Sequence, residues 1–176
     1  MIVTPIVAVE PFEHFSPRIH PEAFIHPSAQ VIGEVGVGAQ STVWPCAVLR
    51  GDHGPISVGE RTSLQDGAVC HSTEDRSQTV VGDECTVGHR AILHGCRIGN
   101  RCLVGMGSIL LDNVQLGDEC FIGAGTLLTP GKIFPPRSFI LGSPGKRVRE
   151  VTAQELEWIT YSWKAYVDLA RRHRRP

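Results

Sequence analysis

Three histidines carry the clearest chemistry in the chain: His71, at the end of LQDGAVCH, and His89 and His94 in CTVGHRAILHGCRIG. Neutral imidazole is the commonest side-chain ligand for divalent transition metals. Three of them leave a zinc ion with net positive charge and one open position, where a bound water is acidified toward neutrality. Their spacing, eighteen residues and then five, suits neither a helix face nor a simple strand. Other polar residues stand nearby in sequence: Arg50 and Asp52 in LRGD, Gln65 and Asp66 in LQDG. The elements that could gather these side chains must come from the pattern around them.

That pattern is a six-residue repeat. Units beginning at an aliphatic residue run from Val31 (VIGEVG) through Val58 (VGERTS), Val81 (VGDECT), Val87 (VGHRAI), Ile98 (IGNRCL) and Leu116 (LGDECF) to Ile122 (IGAGTL), and cover residues 25 to 130. An aliphatic residue first, usually Gly second and a small residue fifth cannot be an α-helix, because the glycine density is costly and the period mismatches 3.6. It fits a short strand followed by a tight turn. Three such units close a coil of 18 residues, with aliphatics stacked inside and backbone hydrogen bonds running from coil to coil. The expected fold is an all-β solenoid, a parallel β-helix, whose handedness the pattern leaves open. Cys85, Cys102 and Cys120 each take the fifth place and read as reduced core filler rather than metal ligands. Two interruptions, LRGDHGPIS and CHSTEDRSQTV, are expected to push loops outward from the coil. After a stretch rich in Pro and Gly, Thr152 and Glu155 form a capping box, and Leu156, Ile159, Trp163, Tyr166 and Ala170 line one face of a C-terminal helix. This helix packs along the coil or caps the assembly. The division is therefore a β-helix with its lead-in over 1–150, and over 151–176 a helix and basic tail packed on the same domain.

Counting hexads places the histidines. His71 and His94 are both second in their units, one coil apart on one face, together with Arg50 and Asp52. His89 is third in its unit and lies on another face, one coil beyond Asp66 and beside Gln65. Strands about 4.8 Å apart let His71 and His94 converge on one ion with bonds of about 2.0 to 2.1 Å. His89 cannot join them within its own chain. A heterologous ring that sets one face of each copy against a different face of its neighbour would supply it, so the spacing predicts a trimer with sites between subunits.

LRGD at 49–52, LQDGAVCH at 64–71, VGHRAILHGC at 87–96, VGMGSILLD at 104–112 and GSPGKRVR at 142–149, together with hexads throughout, resemble the γ-class carbonic anhydrase family of left-handed β-helix proteins. The resemblance covers nearly the whole chain and implies a homotrimer with zinc held by His71 and His94 of one chain and His89 of the next. It implies that Arg50 and Asp52 pair across the interface, and that Gln65 and Asp66 hold the metal-bound water or bicarbonate. It also implies that Tyr161 of the helix is sent back toward the metal. Gln65 could orient the hydroxide or substrate, and Asp66 could anchor from outside or accept a proton. The expected activity is reversible hydration of CO2 to bicarbonate. Zn2+ is the default ion, and Fe2+ or Co2+ suit the same ligands. Alternatives are a metal-dependent acyl-CoA thioesterase and a metal-stapled scaffold without turnover. A CoA acyltransferase fits least, because its chemistry needs a single general-base histidine. The chain departs from the family at His53, where the best-characterised members carry a glutamate, and in its short loop after His71, so His53, Glu74 and Asp75 are the candidate proton shuttles. Whether Cys70 or Cys96 makes the site redox-sensitive is left open.

Composition narrows the partners. In 176 residues with 41% hydrophobic content and a net charge of −1, acidic and basic residues are mixed, and no broad basic surface points to nucleic acid or membrane. RRHRRP at the C-terminus reads as a solvated tail, and His14, His20, His26 and His173 as surface or turn residues. No basic leader or 18-residue apolar run is present, which makes a cytoplasmic address the expectation.

Overall fold

The computed structural model describes residues 9–174; the first eight residues of the lead-in and the last two of the tail lie outside them. The described chain winds as a parallel β-helix of three faces, closed by an antiparallel hairpin and one helix. On the first face Val31, Leu49, Cys70, Leu93, Leu110 and Leu128 stack in register and are fully buried. On the second, Val37, Val58, Val81, Ile98, Leu116 and Phe134 stack likewise and are buried, and on the third Val43, Leu64, Val87, Val104, Ile122 and Ile140 stack fully buried. The first residue of each hexad is thus the inward one, and each such aliphatic contributes about 1.5–3 kcal/mol on burial.

The fifth place has a second role beyond filling space. At one corner Ser41, Thr62, Cys85, Cys102 and Cys120 each donate from hydroxyl or thiol to a carbonyl of the next coil: those of Gly59, Gly82, Gly99, Gly117 and Pro135, at 2.6 to 3.3 Å. Five hydrogen-bond donors in one column show that the cysteines replace Ser and Thr there, rather than acting as plain filler. The fourth place of the same corner takes positive φ without glycine, at Gln40, Arg61, Glu84, Arg101, Glu119 and Arg137. Along it Arg61 pairs with Glu84 at 3.1 Å, and Glu119 with both Arg101 at 2.9 Å and Arg137 at 3.3 Å.

One expected outward loop is instead a strand. Val48–Val58 runs unbroken from the first face to the second, and its pairing with Gln30–Val37 shifts between Gly33, opposite Gly51, and Val35, opposite Ile56. The extra residues Asp52 to Pro55 are absorbed as a bulge that bends the strand around the corner. The second insertion is a loop, residues 72–78, with Glu74, Asp75 and Arg76 exposed at its tip.

The helix Ala153–His173 starts at Thr152 in the expected capping box and lies along the third face, against the strands Thr42–Val43, Ser63–Leu64 and Thr86–Val87. Its buried residues are Ile159, Ser162, Val167 and Ala170. Leu156, Trp163 and Tyr166 are only half-buried, so the contact stripe is turned slightly from the expected one. His173 ends this helix with its ring 5.3 Å from that of Trp44, rather than standing in a free tail. Among the described residues no helix is long and apolar enough to cross a membrane.

The helix start carries a pH signature. Hydrogen bonds from Arg149 hold the Glu155 carboxyl down to about 2 from its ordinary 4.5; burial opposes the shift, and Thr152 adds to it. A depressed carboxyl stabilises the fold above its unfolded pKa, and that stabilisation is lost as pH falls through the folded value. Glu155→Gln is therefore expected to melt below the parent protein at pH 7, with the gap closing between about pH 4.3 and pH 2. Thermal melts followed by circular dichroism across that range check it.

Candidate metal centre

His71 and His94 close the strands Val69–His71 and Ile92–His94, which pair in register so that the two residues stand directly side by side. His71 Nδ1 and His94 Nε2 face each other at 3.3 Å. The outer nitrogens are held by carboxylates: His71 Nε2 lies 3.0 Å from Asp52 Oδ1, and His94 Nδ1 lies 3.2 Å from Asp112 Oδ1. Carboxylates only accept, so the outer nitrogens carry the hydrogens and the two facing nitrogens present lone pairs. Two ligand atoms on a tetrahedral ion with bonds of 2.0–2.1 Å lie about 3.4 Å apart, so the facing pair matches one edge of a zinc coordination sphere.

His89 stands on the third face, in the corner after Thr86–Val87, and is not gathered with the other two within one chain. It repeats their arrangement: Nδ1 lies 2.9 Å from Asp66 Oδ2, which leaves Nε2 as the free lone pair. The side chain is 42% exposed against 13% for His71, so it points outward from the coil. Gln65, almost fully buried, accepts the His89 backbone N–H at 3.1 Å through Oε1, and its amide hydrogens remain for another partner. Asp66 thereby serves as the anchor of His89. The donor set of three neutral imidazoles, each oriented by a carboxylate, fits a divalent transition metal.

Electrostatics on the first face follow from the same contacts. Burial pushes the His71 pKa down, with the hydrogen bond to Asp52 opposing it, so the ring stays neutral as a ligand must. For Asp52 burial acts upward, but hydrogen bonds from Arg50 and His71 and the guanidinium charge outweigh it and keep the carboxyl below its usual range. Arg50 Nη1 reaches Asp52 Oδ2 of its own chain at 2.6 Å. Residues two apart on a strand share a face, which is why the two side chains meet within the chain.

Other expectations fall out differently. Tyr161 is 61% exposed and stacks on Trp158 at 5.3 Å, so it lies on the rim of a groove that His89 also lines. The tyrosine whose hydroxyl feels the Asp66 charge is Tyr166, pushed up by burial and then by that carboxylate. His53, exposed, has its ring 5.3 Å from that of His71, whereas Glu74 and Asp75 stay at the exposed loop tip. Cys70 and Cys96 are fully buried, and burial raises both thiols, Cys70 to about 12, so neither is a thiolate at neutral pH.

Asp112 is the participant that counting in sixes misses. It accepts from Ser77 Oγ at 2.5 Å and Thr73 Oγ1 at 2.9 Å as well as from His94, and ties the 72–78 loop to the metal-facing ring. Burial raises its carboxyl, but these donors outweigh that and lower it. Gly95, at φ 65°, makes room: a Cβ there would collide with Asp112 Oδ1 and Ser77 Oγ. The units at Leu93 and Leu110 pair in register, so Asp112, third in its unit, stands one place beyond the level of His94, second in its own. An aspartate inside the otherwise aliphatic ILLDNV was the available signal. Asp112→Asn is expected to weaken metal binding about 10- to 100-fold with the fold intact, since an amide can no longer fix the His94 tautomer. Competition against a zinc chelator measures it.

Fold and site together define a hexapeptide-repeat β-helix protein with a histidine-rich corner. Residues 95–130 match the family described as bacterial transferase hexapeptide (six repeats). The carnitine operon protein CaiE of Salmonella agona is 42% identical over 93% of this chain and 82% of its own length. CaiE of Citrobacter koseri is 45% identical with the same coverage. A hexapeptide transferase family protein from Anaplasma phagocytophilum superposes with a TM-score of 0.90 at 38% identity, over 94% of this chain and 97% of that one. A Bacillus cereus protein does so with 0.91 at 36%, over 94% and 95%. The chain belongs to the γ-carbonic anhydrase-like family of left-handed β-helix, hexapeptide-repeat proteins, of which CaiE is a member.

Proposed function

We propose that this chain catalyses the reversible hydration of CO2 at sites shared between neighbouring copies of a homotrimer. The observation that carries the reading is the set of three imidazoles, each with one nitrogen tied to a carboxylate and the other left as a lone pair. His71 and His94 of one copy and His89 of the next would hold Zn2+, and Fe2+ or Co2+ suit the same donors. A bound ion of this kind supplies Lewis acidity and activates water near neutral pH. The remaining work falls to the chain. Asp52, Asp66 and Asp112 fix the three rings. Gln65, whose Oε1 is occupied by the His89 backbone, turns its amide hydrogens toward the reacting oxygens. The half-exposed Arg50 guanidinium, held by Asp52, receives the bicarbonate anion at the rim. His53 takes up the released proton on a ring nitrogen and passes it to solvent.

A second reading, hydrolysis of an acyl-CoA thioester at the same centre, is favoured by the groove between helix and third face. It measures about 560 Å3, starts at Gln65 and His89, and runs past Met106 and Phe121 to Trp158 and Tyr161, enough room for an apolar acyl group. Stopped-flow CO2 hydration with an indicator dye, on protein purified under reducing conditions and reloaded with Zn2+ or Fe2+, tests the first reading against a His89→Ala control. Metal-dependent turnover that disappears in the variant supports it. A metal-loaded trimer without turnover discards it and moves the test to a thioester panel.

A further inference from the structure

The groove between the helix and the third face has two ends, and the order of residues from coil to coil sets both. The residues that follow the inward aliphatics of this face are Trp44, Gln65, Gly88, Gly105, Gly123 and Leu141. Gln65 lies along the next coil, where it accepts the His89 backbone N–H. Leu141, from the last parallel strand, leans back the other way: its Cδ2 occupies the place that a Cβ on Gly123 would take. Between these two side chains Gly88 and Gly105 leave bare backbone. Glycine is required there by the close approach of the coils, since a Cβ on Gly88 would meet Met106 N at 2.7 Å. The helix supplies the facing wall with Ser162 and Ala165, and the stacked rings of Trp158 and Tyr161 stand at the rim.

We propose that this groove holds the chain of an uncharged, apolar acyl thioester of roughly six to eight carbons, with its carbonyl end at Gln65 and with Leu141 setting the length. The choice of a thioester rests on the second reading given for the metal centre; the length of the groove does not. Coils repeat about every 4.8 Å, so the open span from Gly88 to the Leu141 side chain over Gly123 is about 10 Å. An extended chain of that size fills it. The free amide hydrogens of Gln65 suit a carbonyl oxygen at the end nearest His89. Leu103, Met106 and Phe121 offer only apolar contact along the span, so each methylene that enters adds about two- to fourfold in affinity. A charge carried there would lose its hydration without gaining a partner. Carbons beyond the span are turned into water by Leu141 and add nothing.

Calorimetric titration with S-alkyl-CoA thioethers, which the metal centre cannot hydrolyse, measures the chain-length profile on the full-length protein with and without Zn2+. Affinity is expected to climb from ethyl to hexyl or octyl and to level off by dodecyl. Leu141 is 41% exposed, and Leu141→Ala, checked for folding by circular dichroism, is expected to keep the short-chain affinities and move the break roughly two to four carbons further, the height of about one coil. Ala165→Leu, on the helix wall, is expected to weaken the long-chain ligands and leave the ethyl ligand unchanged. Affinity without dependence on chain length, or a break unmoved by Leu141→Ala, overturns the proposal. Release of free thiol from the matching acyl-CoA esters by the metal-loaded protein then tests the reading on which the choice of thioester rests: no release alongside an intact length profile overturns that reading and leaves the groove as a binding site for apolar chains.

Discussion

Mixed in equal amounts, unfolded and refolded together, the His89→Ala and His94→Ala variants are expected to regain metal and activity that neither has alone. Each variant by itself loses a direct ligand, so its loss exceeds the roughly 10- to 100-fold expected for removing a supporting carboxylate. In a mixed ring, a His94→Ala copy still offers His89, and a His89→Ala copy still offers His71 and His94. If each site takes His89 from one copy and the pair from the next, random assembly makes about one interface in four intact. Metal content and turnover of the refolded mixture, against each variant refolded alone, are the readouts. No recovery on mixing would place all three rings on one chain's ion and remove the trimer from the site. The expectation rests on geometry: His71 and His94 face each other at 3.3 Å on one face, while His89 points outward from another.

The second large effect concerns the scaffold beneath the ligands. Leu93 is fully buried, stacked between Cys70 and Leu110, and is followed directly by His94. Leu93→Ala removes three carbons from a column whose neighbours are locked above and below by coil-to-coil hydrogen bonds, so the gap cannot close readily. The cost is expected at about 2–5 kcal/mol, read from the urea midpoint, with a further loss of metal affinity as His94 drifts from His71. A cost below about 1 kcal/mol would mean that the coil collapses around small side chains and does not set the ligand geometry. Against a total stability of about 5–15 kcal/mol for a domain, this one substitution is a large share.

The repeat made most of this legible in advance. An inward aliphatic every sixth residue dictates the coil, and the coil dictates that His71 lies beside His94 while His89 does not. Periodicity is blind where it breaks. Asp112 takes the third place of its unit and His94 the second, so matching places did not pair them, and the insertion after Leu49 read as a loop because a bulged strand and an outward loop have the same excess of residues in sequence. The helix stripe was turned because amphipathic spacing tolerates a small rotation, and only packing against Thr42–Val43 and Thr86–Val87 fixes it.

The hairpin Ser138–Gly142 and Gly145–Glu150 bears on whether the molecule stays finite. A coil stack has no intrinsic end: every last rung offers unpaired amides and carbonyls to any strand that arrives, including another copy's first rung. Here the chain turns back antiparallel on its own final strand, and Gly145 lies so close to Leu127 and Leu128 that a Cβ would meet Leu128 at 2.6 Å. The edge it then presents carries Lys146, Arg147 and Arg149, charges that repel a like edge. A chain cut before residue 138 would keep its coils but lose this cover, and end-to-end growth into fibres is the fate its geometry invites.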